Sequence, residues 1–72
     1  MTAESTQKFI DLISGAPDTQ LAPEMKKRLK EVNTHSEMRK IVKDCEKNRN
    51  LVSPYVMGML REIESMMKRE EA

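Results

Sequence analysis

Apolar residues recur along this chain at spacings of three and four, the period that lines side chains up on one face of an α-helix. Phe9, Leu12, Ile13 and Ala16 fall at i, i+3, i+4 and i+7, and Ile10 widens the same face. Leu21, Met25, Leu29 and Val32 step by four, four and three, which leaves Lys26, Lys27, Arg28 and Lys30 mostly outside. Met38, Ile41, Val42 and Cys45 repeat the pattern, with Lys43 and Lys47 opposite and Arg39 and Lys40 on the flanks. In the last segment Val56, Met59, Leu60, Ile63 and Met67 make the inner stripe.

Residues with special backbone chemistry punctuate these stripes. Gly15 tolerates a left-handed C-cap, and Pro17 cannot continue a helix. Asp18 to Ala22 reads as a linker, and Pro23 suits the first helical position, where an N–H would have no partner anyway. Thr34-His35-Ser36-Glu37 has the form of a capping box, in which the Thr34 hydroxyl accepts from the Glu37 N–H and the Glu37 carboxylate reaches back. Asn48 and Asn50 are natural terminators, and Ser53-Pro54 pairs a capping hydroxyl with a proline at the first position. Gly58 inside the last stripe marks either close helix packing or a weak turn. Together the signals predict an all-α bundle of three to four short helices, at about 3–15, 23–33, 35–48 and 54–69, in one domain covering 1–72.

Composition agrees with this reading and narrows it. Charged residues form 35% and apolar ones 38% of the chain, interspersed as helices with one buried stripe require. Strong β-formers are few, so strands are not expected. A chain of 72 residues buries only about 60% of its unfolded surface, which leaves room for self-association to add stability. The lone Cys45 cannot form an internal disulfide, no signal-peptide pattern opens the sequence, and no apolar run approaches the roughly 20 residues of a membrane span. A cytoplasmic protein is the expectation.

The residue inventory argues against an enzyme. Nucleophile-and-base catalysis needs two mutually supporting groups, and the candidates, His35 and Cys45, stand ten residues apart on one helix. That separation is about 15 Å of rise. The Cys and His count falls short of a zinc site, Glu62, Glu64, Glu70 and Glu71 lack a calcium-binding loop, and Gly15 and Gly58 are too far apart to cradle a phosphate. No cofactor, metal or small-molecule substrate is expected.

Two features point to macromolecular partners. The methionines of the last helix suit an adaptable apolar surface, and Val52, Tyr55 and Met66 extend its apolar arc beyond what a small bundle needs. Tyr55, Met59, Ile63, Met66 and Met67 are therefore the expected anchors of a protein–protein interaction module, such as an adaptor, inhibitor or chaperone-like regulator, docking a partner or itself. The alternative lies in the middle. Although the net charge is only +1, residues Glu24 to Asn50 hold nine bases and five acids, whereas the segments before and after are acidic. A helix, a short Asn33-Thr34 turn and a capped helix follow the general plan of a helix-turn-helix, with Lys26, Lys27, Arg28, Arg39, Lys40 and Lys43 as phosphate contacts for a nucleic acid.

Overall fold

The described residues form four α-helices, α1 (Ala3–Gly15), α2 (Pro23–Lys30), α3 (His35–Lys47) and α4 (Pro54–Glu71). The coordinates are a computed structural model describing residues 3–71, with side chains from Ser5 onward. The capping chemistry sets two of the starts. The Thr34 hydroxyl accepts from the Glu37 N–H at 3.2 Å, and the Ser53 hydroxyl accepts from the Val56 N–H at 3.1 Å. The Glu37 carboxylate accepts from the Thr34 hydroxyl at 3.0 Å, in place of the Thr34 backbone N–H that a capping box uses. Pro23 and Pro54 each occupy a first helical position, as their missing donor favours.

Helix ends depart from expectation at two points. Helix α2 stops at Lys30, three residues short of Asn33, because the Glu31 and Val32 N–H groups turn back to Arg28 and Leu29 at i−3. This tighter turn frees Thr34 to adopt the extended conformation (φ −123°, ψ 157°) that capping α3 demands. No glycine has positive φ, so α1 ends without a left-handed cap; Pro17, which lacks a donor, does the stopping, and its carbonyl then accepts from Gln20 and Leu21.

Helix α4, at about 27 Å long by its rise per residue, is the spine of a molecule whose longest dimension is 32 Å. Helices α1 and α3 run antiparallel to it on its two flanks, as Lys8–Glu62 and Ser5–Glu70 show on one side and Arg61–Glu46 and His35–Glu64 on the other. Helix α2 bridges α1 and α3, tied by Arg28–Asp44 (3.0 Å) and by the Lys26 ammonium donating to the Ala16 carbonyl.

The core unites Phe9 and Leu12 of α1, Met25 and Leu29 of α2, Met38, Ile41, Val42 and Cys45 of α3, and Val56, Leu60, Ile63 and Met67 of α4. The periodicity identified this set. Ile10 is the exception: it is about half exposed and does not widen the inner face. The linkers were not expected to pair, yet they do. The Ala22 N–H donates to Leu51 O and the Ser53 N–H to Gln20 O, forming an isolated antiparallel bridge that drives Leu21 and Val52 into the core.

Candidate functional site

The five anchors expected on α4 do not share an accessible face. Ile63 and Met67 are 1% exposed and Met66 is 6% exposed, so none of the three is presented to a partner in this fold. The reason is architectural: the broad apolar arc of α4 is covered by α1 on one flank and α3 on the other. Met59 is half-buried against the core, leaving Tyr55, 70% exposed, as the accessible member. Tyr55 and Met59 stand over a shallow groove lined by Asp11, Leu12, Gly15 and Gln20.

The basic residues of the middle separate into two groups. Lys26 and Arg28 serve the fold, Lys26 through Ala16 O at 3.1 Å and Asp18 at 3.7 Å, and Arg28 through Asp44. Lys27, Arg39, Lys40 and Lys43 are exposed and make no ion pair among the described residues. Lys30 and Lys47 join them. Lys40, Lys43 and Lys47 fall at i, i+3 and i+7, directly opposite the buried Met38, Ile41, Val42 and Cys45, so they form one outward stripe along α3. That spacing was readable in the sequence and adds Lys47 to the candidate set.

Four acids lie near this positive surface. Asp44 and Glu46 are held by Arg28 and Arg61, while Glu31 and Glu37 share a groove with Lys40 between α2 and α3. The Lys43–Lys47 end of the stripe lies beyond that groove, beside Asp44 and Glu46.

The reactive residues are occupied otherwise. His35 Nε2 lies 2.7 Å from Glu64 Oε1, and the His35 backbone N–H donates to the Glu71 carboxylate. Both carboxylates therefore sit at the N-terminus of α3, where unpaired N–H groups and the helix dipole favour negative charge. Burial pushes the Cys45 thiol up from its ordinary pKa; Arg28 pulls it back and Asp44 adds to the rise. At neutral pH it is a protonated core thiol, poorly suited to act as a nucleophile. Among the described residues no three His, Cys, Asp or Glu side chains gather as metal ligands, and no helix is long and apolar enough to cross a membrane. Compared with protein families, curated proteins and solved structures, the chain matches none.

Proposed function

We propose that this chain is a nucleic-acid-binding module that grips the phosphates of a duplex with the outer face of α2 and α3. The observation that carries the reading is the row of cations without ion pairs among the described residues, Lys27 and Lys30 on α2 and Arg39, Lys40, Lys43 and Lys47 on α3. Helix α3 is about 20 Å long by its rise per residue, with a width suited to a major groove. No aromatic side chain lies on this face to stack unpaired bases, which favours a duplex over a single strand. Recognition would rest on the backbone, and the module would act without catalysis, as a regulator in the cytoplasm.

Fluorescence anisotropy of a labelled duplex against salt tests the proposal. Replacing Lys40, Lys43 and Lys47 with Glu should remove binding at physiological salt; replacing them with Ala should lower the log–log salt slope by about 2.7, at about 0.9 per contact. Absence of binding by the wild-type chain even at low salt would sink the reading.

A second reading is favoured by the exposure of Tyr55. Its ring, with Met59, suits a small protein contact on the α1–α4 side, away from the lysine stripe. A self-association constant unchanged by Tyr55→Ala and Met59→Lys would remove self-docking through this edge.

A further inference from the structure

The last turn of α3, the 48–53 linker and the first half of α4 enclose a groove of about 300 Å³, at the lower limit of ligand-pocket size. Its base is apolar, formed by buried Cys45 and Val52 and half-buried Met57. Its lining also carries charge, Arg49, Arg61 and Glu46, two guanidinium groups to one carboxylate. The Arg61–Glu46 contact is long, 3.4 Å, and both side chains are about half exposed, so it is weak and readily exchanged. Arg49 has no ion pair among the described residues. A guanidinium fork matches a carboxylate or phosphate in two parallel hydrogen bonds, so Arg49 and Arg61 suit an anionic group at this groove.

We propose that this groove binds a small amphipathic anion: a carboxylate or phosphate head held by Arg49 and Arg61, on an apolar body no larger than one ring resting against Val52 and Met57. The site is distinct from the lysine stripe and does not depend on nucleic-acid binding. The sequence concealed it, because Cys45, Arg49, Met57 and Arg61 meet only when α3 folds back along α4.

Amide chemical-shift titration with phenylphosphate and phenylacetate is the test, with benzyl alcohol and inorganic phosphate as controls that each lack one half of the ligand. Saturable shifts should centre on Cys45, Val52 and Met57 for the two amphipathic anions, and each control should bind about tenfold more weakly. The double variant Arg49→Gln, Arg61→Gln alters two exposed side chains; it should keep the wild-type spectrum elsewhere and bind phenylphosphate about tenfold more weakly. The Lys40, Lys43, Lys47→Glu variant should keep the site. Equal binding of benzyl alcohol, an unaffected arginine double variant, loss of the shifts in the lysine variant, or no saturable shift at about 10 mM anion would each overturn the proposal.

Discussion

The acids of α4 and the cations of α3 meet different fates when the chain folds. Each acid of α4 is engaged: Glu62 with Lys8, Glu70 with Ser5, Glu64 with the His35 ring and Glu71 with the His35 N–H. The acids of α3 are engaged too, Glu37 in its cap, Asp44 with Arg28 and Glu46 with Arg61. The cations of α3, Arg39, Lys40, Lys43 and Lys47, have no such contacts among the described residues. The interhelical pairs Lys8–Glu62, Arg28–Asp44 and Arg61–Glu46 each use one cation and one acid, and the four cations of α3 stay outside them. The surface along α3 is more basic than a net charge of +1 suggests.

The two regions should respond oppositely to mutation. Leu60, fully buried at the middle of α4 where α1 and α3 converge, is the sharpest probe of the structural side. Leu60→Ala should cost about 2–5 kcal/mol through lost burial and the cavity left behind. In a domain this small that is most of the stability, so thermal or urea unfolding should find the variant largely unfolded at 37 °C. A loss under about 1 kcal/mol would mean that α4 is not the spine.

Next in size is the start of the same helix. Ser53→Ala removes the hydroxyl that accepts from the Val56 N–H, and urea titration should show a loss of about 1 kcal/mol. Gly58 provides a gain instead. A Cβ built there meets nothing within 4 Å and the glycine has no positive φ, so neither close packing nor a special backbone explains it. Gly58→Ala should raise stability by about 0.5–1 kcal/mol, read as a higher melting temperature, because alanine loses less backbone entropy on entering a helix.

How much of this could be read beforehand follows from the range of each interaction. Caps at Thr34 and Ser53 act over three residues, and the buried stripes repeat every three or four, so helix starts and nearly the whole core were visible in the sequence. The pairing of the linkers through Leu21 and Val52 was not, nor were Ser5–Glu70 and His35–Glu64, since those partners lie 29 to 65 residues apart. The same blindness hid the burial of Ile63, Met66 and Met67, three of the anchors expected on α4. Val52, Tyr55 and Met66 looked surplus to a small bundle, but Val52 and Met66 are buried once α1 and α3 both pack on α4. For the basic middle, the sequence supplied the cations but not their division: Lys26 and Arg28 looked as available as Lys43 until their partners Asp18, Ala16 and Asp44 were known.

The smallest expected stability effect makes the comparison most exacting. Lys43 projects from the centre of the outward stripe on α3, exposed and opposite the core, so Lys43→Ala should change unfolding free energy by less than about 0.5 kcal/mol. In duplex binding the same change should lower the log–log salt slope by about 0.9 and weaken affinity across sequences alike, because a phosphate contact carries no base information. Arg28→Ala is the matched control: it should leave the slope nearly unchanged while breaking the Arg28–Asp44 tie between α2 and α3. If Arg28→Ala moved the slope as far as Lys43→Ala, the division between cations that hold the fold and cations that face outward would fail. If neither moved it, the positive charge left outside by folding would have some other use than phosphate.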